Sequence, residues 1–141
     1  MNESGYDPAE RPAILGVVRA PFIDHLTLRV RDVETSRRFY EQALAPWGTR
    51  VVQSSQGPVG FGPEGSEDFW IKPGDPAAPV HVAFLAPDRA TVDTFHRAAI
   101  EAGGTDNGAP GPRPQYHGGY YAAYVLDPDG NNVEAVVHEG R

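Results

Sequence analysis

Apolar and polar residues alternate in two short stretches of the sequence. In the first, residues 22–30, Leu26 and Leu28 fall on one side and His25 on the other. The second begins at His81 and follows the same rule. This pattern predicts strands with one face toward a core and one unlike face.

Each stretch precedes a helical pattern. After the first, apolar residues recur three and four positions apart, which is the spacing of one helix face. Asp32 is placed to cap the first turn, and Pro46 and Gly48 to end the helix. The stripe consists of Ser36, Phe39, Tyr40, Ala43 and Leu44, and it recurs as Val92, Phe95, His96, Ala99 and Ile100. We therefore assign His96 to packing.

Corresponding residues of the two stretches are separated by 56 positions. The matched pairs include His25/His81, Asp32/Asp88, Phe39/Phe95, Gly48/Gly104 and Thr49/Thr105. This internal repeat predicts an α+β fold of paired βαβββ modules, about 21–75 and 78–139, in a single domain of residues 21–141. Because neither half buries enough apolar surface alone, we expect each to cover the other's open sheet face. Residues 1–20 are interpreted as a flexible N-terminal extension.

Further strands are predicted at residues 51–54, 59–61, 69–71, 121–126 and 133–138. The last two form a hairpin, because Asp127-Pro128-Asp129-Gly130 is a turn signal. Glu134 lies between Val133 and Ala135 in the last strand, so a carboxylate stands among apolar residues. The Pro- and Gly-rich segment 108–119 is interpreted as a loop that shapes substrate choice.

Composition excludes several classes of function. The 12 basic and 19 acidic residues give a formal charge of −7, which does not fit a nucleic-acid partner. No segment has the apolar length of a membrane span or the pattern of a signal peptide, so we expect a cytoplasmic protein without a membrane partner. The sequence has no cysteine, and a metal would have to be held by histidine and carboxylate.

His25 and His81 gain weight as candidate metal ligands from the repeat. A single histidine on a strand is usually a structural, hydrogen-bonded residue, but these two occupy equivalent positions of equivalent strands. We expect their imidazoles to converge on one cavity. If Glu134 reaches that cavity, two histidines and one carboxylate form a three-ligand site with open positions.

These segments together resemble the vicinal oxygen chelate superfamily, which includes glyoxalase I, extradiol dioxygenases, fosfomycin-resistance thiol transferases and bleomycin-resistance proteins. The resemblance runs from Phe22 to His138 and rests on three motifs. They are Ile23-Asp-His25-Leu-Thr-Leu with Ser36-Arg-Arg-Phe-Tyr40, then His81-Val-Ala-Phe84, and Leu126-Asp-Pro-Asp-Gly-Asn-Asn-Val-Glu134. The family implies a cupped mixed sheet around one divalent metal (Zn, Ni, Mn, Co or Fe(II)), held by His25, His81 and Glu134.

This sequence differs from two members of the superfamily at positions that carry their activities. Glyoxalase I has a fourth protein ligand on the last strand of its first module, where this sequence has Phe69-Trp70-Ile71 and offers only Glu67 or Asp68 at the edge, which counts against ordinary glyoxalase I. The fosfomycin enzymes use basic residues to hold a phosphonate, whereas Lys72 is the single lysine here. The activity is therefore less defined than the ligand set.

Other residues are candidates for the chemistry around such a metal. His117 and Tyr116 precede the strand that leads to Glu134 and are candidate catalytic residues for proton transfer. The candidate substrate-binding residues are Arg113, Tyr121, Phe61 and Trp70. The alternative for each is ordinary: an exposed loop, a surface arginine or core aromatics. His138 shares the face of Glu134 at the end of its strand.

We expect a divalent-metal-dependent, glyoxalase-like lyase or isomerase that chelates two adjacent oxygens of a small-molecule substrate. With Fe(II), the same ligands suit a dioxygenase. The alternative from another class is a metal-free protein that binds a small molecule or antibiotic, as bleomycin-resistance proteins do. The family also implies a homodimer, in which exchanged modules would bring His25 of one chain to His81 and Glu134 of the other.

Overall fold

The same succession of elements occurs twice along the chain, as the repeat predicts. The computed structural model describes residues 23–63 and 67–140; the predicted extension, residues 1–20, lies outside these ranges. The first module contains β1 (Leu26–Val30), α1 (Val33–Ala43), β2 (Arg50–Gln53), β3 (Val59–Gly62) and β4 (Phe69–Pro73). The second contains β5 (His81–Leu85), α2 (Arg89–Glu101), β6 (Thr105–Pro112), β7 (Tyr120–Leu126) and β8 (Asn132–His138). The predicted α+β fold is thereby confirmed.

Both helices begin at the predicted aspartate caps. The Asp32 carboxylate accepts a hydrogen bond from the Thr35 backbone N–H at 3.1 Å, and Asp88 accepts one from Thr91 at 2.8 Å. Each bond satisfies a backbone donor that has no partner within the helix. A short 3₁₀ turn follows α1 and ends at Gly48, whose φ of 69° suits glycine.

Each module builds a four-stranded mixed sheet. The strand orders are β1-β4-β3-β2 and β5-β8-β7-β6. The first strand of each module pairs in parallel with the last, and the remaining neighbours pair antiparallel. The strand that carries Glu134, β8, therefore lies inside its sheet, with a strand on either side.

The segment interpreted as a loop is in part a strand. Residues 105–112 form β6 at the edge of the second sheet, with register shifts on either side of Gly108. Pro110 and Pro112 have no N–H to donate, and an edge strand tolerates this because one side needs no partner. Gly108 adopts a φ of 152°, which suits glycine at an irregularity. Only residues 113–119 connect β6 to β7.

The two modules share one core, in which the helices contact each other. Phe39 of α1, Phe95 of α2 and Val125 of β7 are fully buried in the same cluster. The expectation that each half covers the other's open sheet face is wrong for the single chain. Because the shared core lies on the helix side, the opposite faces of β1 and β5 remain exposed, and Leu85 is 60% exposed.

The turn after β7 joins the modules. Asp127 is 5% exposed, and its carboxylate accepts a hydrogen bond from the Tyr40 hydroxyl at 2.5 Å. It also accepts bonds from the Asn131 side chain and from the backbone N–H groups of Asp129 and Asn131. Asp129 forms an ion pair with Arg31 of the first module at 3.0 Å. We call these five residues the inter-module clamp; it gives the Asp-Pro-Asp-Gly motif a structural role.

Neither α1 nor α2, the helices of the described residues, has the length and apolar content required to cross a membrane.

Candidate metal and substrate site

Glu134 lies on the exposed side of the second sheet, opposite the helices. Across the ladder it stands beside Ala83 of β5 and Tyr124 of β7. Because side chains alternate along a strand, Val136 and His138 project to the same side. We call this side the open face of the second module. The Glu134 side chain is nevertheless only 1% exposed, because its neighbours enclose it.

Both carboxylate oxygens of Glu134 have partners. Oε1 lies 2.7 Å from Nε2 of His81, and Oε2 accepts a hydrogen bond from the Tyr120 hydroxyl. Burial, followed by the bond to Glu134, raises the pKa of the Tyr120 phenol well above its ordinary value. Tyr120 therefore stays protonated and donates across the neutral pH range.

The contact between His81 and Glu134 suits two ligands of one metal. Histidine nitrogen and carboxylate oxygen bind divalent metals at about 2.0 to 2.2 Å, so ligands at adjacent octahedral positions lie roughly 3 Å apart. The observed separation of 2.7 Å is that of a hydrogen bond, and a metal between the two atoms would replace this bond after a small shift of the side chains. A neutral imidazole and an anionic oxygen are also the donor types that zinc, iron and nickel accept. These two residues fit a divalent metal.

His25, the third expected ligand, lies elsewhere. Its side chain is 59% exposed, and its Nδ1 is 2.8 Å from the Asp24 carboxylate. It lines a cavity of about 320 Å³ on the outer side of the first sheet, with Thr27 and Trp70. Within residues 23–63 and 67–140, no three histidine or acidic side chains are grouped closely enough to hold a metal. The expected convergence of His25 with His81 and Glu134 does not occur within the described part of one chain, because the sheets share a core on the helix side.

Two of the expected substrate-binding residues face the helices instead. The Tyr121 hydroxyl donates to Asp93 of α2 at 2.7 Å, so the sheet separates it from Glu134. Phe61 is fully buried in the core against Tyr40 and Phe69. The structure does not place either residue at the open face of the second module.

The other two expected substrate-binding residues, Arg113 and Trp70, lie on the sides of the sheets that face away from the helices. Arg113 folds back so that its guanidinium donates to the carbonyls of Ala109 and Gly111 and lies 5.3 Å from the Tyr124 ring centre. It therefore stands beside the residue that pairs with Glu134. Trp70 covers Gly60 and accompanies His25 on the first module.

The candidate catalytic residues flank Tyr120. Tyr116 is 61% exposed, and its ring centre lies 4.9 Å from that of Tyr120. The His117 ring lies 5.4 Å from Tyr120, and its Nε2 is 2.9 Å from Nδ1 of His138. Tyr116 and His117 thus lie beside the residue that contacts Glu134.

A cavity of about 700 Å³ opens next to this cluster. It is lined by residues of β5, β8 and the turn after β5, among them Ala83, Leu85, Val136 and His138. Its volume is that of a small-molecule site. The lining combines apolar side chains with one imidazole at its end.

Sequence reasoning missed Tyr120 and Tyr124. The register shows why: Tyr124 pairs with Glu134, so the even-numbered residues of β7 share its face and Tyr121 does not. Counting back from the turn through Leu126 would have given this parity.

Comparisons with known proteins agree with the fold. The family model of the Glyoxalase/Bleomycin resistance protein/Dioxygenase superfamily matches residues 22–135. A glyoxalase/bleomycin resistance protein from Albidiferax ferrireducens is similar with a TM-score of 0.73 and 28% identity, over 84% of this chain and 99% of that one. The fosfomycin resistance protein FosX from Mesorhizobium loti is similar with a TM-score of 0.62 and 24% identity, over 86% of this chain and 96% of that one. A glyoxalase-related enzyme from Fulvimarina pelagi is similar with a TM-score of 0.64 and 19% identity, over 84% of this chain and 89% of that one. Among the curated proteins, none matches this sequence.

Proposed function

Because the chain belongs to the glyoxalase/bleomycin resistance protein/dioxygenase superfamily, we propose that it is a divalent-metal-dependent, glyoxalase-like lyase or isomerase. Its substrate would be a small molecule with two adjacent oxygens. The observation that carries the proposal is the buried Glu134 carboxylate, 2.7 Å from His81 Nε2, on an open face beside a cavity of about 700 Å³. A buried carboxylate costs folding free energy unless it is paired, and imidazole nitrogen and carboxylate oxygen are both donors that divalent metals accept.

His81 and Glu134 are two ligands in this proposal, and His25 of a second copy is the third. When bound, a divalent metal supplies Lewis acidity to two neighbouring substrate oxygens. The second copy is supported by exposed apolar side chains near the ends of β1 and β5. Ile23 is 69% exposed, Val80 42% and Leu85 60%. Burying such side chains favours association, so a homodimer with exchanged modules would complete the site.

Tyr116 and His117 are the proposed proton-transfer residues. Tyr116 is exposed at the rim of the open face, where a substrate would meet it. His117 is hydrogen-bonded to His138, which lines the cavity, so a proton can pass between the two imidazoles. Arg113, beside Tyr124, is retained as the candidate contact for an anionic part of the substrate.

A second function is favoured by one observation. Both oxygens of Glu134 already have hydrogen-bonding partners within the chain, so this buried carboxylate is paired without a cation. A metal-free protein that binds a small molecule in the same cavity would need nothing more. An Fe(II) dioxygenase would use the proposed ligand set and differ in the metal that it retains.

Metal content separates these functions. The experiment uses tag-free wild type, His25→Ala, Glu134→Ala and, as a control at an exposed position of α2, Arg97→Ala, with metal analysis and thermal melting in added Zn, Mn, Ni, Co or Fe(II). We expect bound metal and a raised melting midpoint for wild type and the control only, since a ligand at about 100 times its Kd adds roughly 2.7 kcal/mol. A wild type that neither retains metal nor gains stability would refute the metal-dependent function and favour the binding protein.

Mixing two inactive variants tests the shared site. In a dimer with exchanged modules, a chain with His25→Ala and a chain with Glu134→Ala together restore one complete ligand set, whereas sites within single chains stay broken. The two variants are denatured, mixed and refolded, and the metal content of the mixture is compared with that of each variant alone. Regained metal supports sharing. Mixed dimers without regained metal would contradict it.

A further inference from the structure

Tyr120 makes the two oxygens of Glu134 unequal. Its hydroxyl donates to Oε2, while Oε1 faces His81 Nε2 at 2.7 Å. A carboxylate held in this way presents one oxygen toward the imidazole. Placing both oxygens on one cation would require the bond from the phenol to Oε2 to break. The proposed ligand geometry at Glu134 therefore depends on Tyr120.

Tyr120 is itself firmly held. Its carbonyl accepts a hydrogen bond from the Arg113 backbone N–H at 2.7 Å. Three aromatic rings surround the phenol: those of His117 and His138 meet it edge to face at 5.4 and 5.1 Å, and that of Tyr116 lies at 4.9 Å. Packing of this kind restricts the ring and so fixes the hydroxyl.

The two imidazoles act as a brace for this ring. The Gly119 backbone N–H donates to His117 Nδ1 at 3.0 Å, so in the neutral ring the hydrogen is on Nε2. That hydrogen points at Nδ1 of His138, 2.9 Å away. A metal could bind His117 Nε2 only after this nitrogen lost its hydrogen. The hydrogen bond from the Gly119 N–H therefore favours a hydrogen-bonded pair of His117 and His138 over a second metal site.

We propose that Tyr120 is a positioning residue: it fixes the orientation of the Glu134 carboxylate for metal binding, and the His117–His138 pair keeps it in place. The inference rests on the proposed function and adds the residue that sets its ligand geometry. Partners that orient metal ligands typically change affinity by about 10- to 100-fold when removed. Tyr120 acts through Glu134 and need not touch the substrate.

The test compares two adjacent tyrosines. Tyr120→Phe removes the hydroxyl that reaches Glu134, and Tyr121→Phe removes a hydroxyl that reaches Asp93 on the other side of the sheet. Chelator-treated wild type and both variants are titrated with Zn²⁺ by calorimetry and with Co²⁺ by visible absorption. We expect about tenfold or more weaker binding and an altered Co²⁺ spectrum for Tyr120→Phe, with Tyr121→Phe unchanged.

The outcomes are distinct. If wild type binds metal and Tyr120→Phe binds it with the same affinity and spectrum, the positioning role is refuted and the metal-dependent function stands. If wild type binds neither ion, both fail. Should Tyr120→Phe not fold, His117→Ala replaces it, because it removes one supporting ring outside the strands. An unchanged affinity in that variant overturns the proposal, and a weakened one supports it.

Discussion

Replacing Tyr40 with phenylalanine tests the inter-module clamp. Tyr40 is fully buried, and its hydroxyl donates to Asp127 across 87 positions of sequence. Burial and then the neighbouring Asp127 charge raise the pKa of the Tyr40 phenol well above its usual value. The hydroxyl is therefore a permanent donor. Phenylalanine fills the same space without it, so the variant removes one hydrogen bond and little packing.

The expected loss is about 2 kcal/mol. A hydrogen bond to a charged group contributes roughly 1.5 to 3 kcal/mol when the partner is left buried. Asp127 is 5% exposed, so water cannot easily replace the phenol. Three other donors from Asp129 and Asn131 remain on the carboxylate, which places the value toward the lower part of the range. In a chain of this length the midpoint should fall by roughly 6 °C.

Urea unfolding of Tyr40→Phe, monitored by circular dichroism, measures this loss. Tyr121→Phe is the control, because its hydroxyl donates to Asp93 at the surface and its removal should change stability by less than about 0.5 kcal/mol. The m-value should be unchanged, since the same surface is exposed on unfolding. A loss in Tyr40→Phe no greater than in the control would show that the clamp does not depend on the phenol.

Three further predictions concern the caps, the core and the proposed metal. Asp88→Asn keeps a cap for Thr91 but removes a carboxyl whose pKa is lowered by hydrogen bonds from the Thr91 hydroxyl and N–H. The stabilisation from this carboxylate is present above the unfolded pKa of about 3.9 and is lost as the pH falls through the folded pKa. Below about pH 4, the melting midpoint of the variant should therefore fall less than that of wild type. Gly104→Ala would place its Cβ 2.4 Å from Val125 and should cost about 1 to 3 kcal/mol in urea unfolding, whereas Gly118→Ala, with open space around it, should be neutral. The affinity for Zn²⁺ measured by calorimetry should weaken steadily on acidification, because protons compete for imidazole and carboxylate; a pH-independent affinity would argue against these ligands.

The fold was predictable where local chemistry repeats. Asp32 and Asp88 predict where the two helices begin, and the structure confirms both caps. β6 was not predictable from propensity, because Gly108, Pro110 and Pro112 are typical of loops. It forms because β7 offers a paired edge, which is a tertiary effect that overrides local preference.

The candidate site was predictable in part. Glu134 and His81 meet, a pairing that the family resemblance implies and that the repeat alone left conditional. His25 does not join them within the described residues, since the pattern of one strand gives its faces but not the side on which the modules pack. Tyr121 is a predicted substrate-binding residue, whereas Tyr120 is the one that contacts Glu134, because a strand assigned without its register does not show which residues lie on a given face.

The inter-module clamp also bears on how the chain is synthesised. A ribosome adds roughly 5 to 20 residues per second, so Asp127 is made about 4 to 17 seconds after Tyr40, 87 residues earlier. During that interval the nascent first module has its central phenol without an acceptor, and Phe39 lacks the second-module part of its core. Tyr40 cannot gain its acceptor until the last hairpin has been made, so we expect nascent chains stalled before residue 127 to be more sensitive to protease than the complete chain.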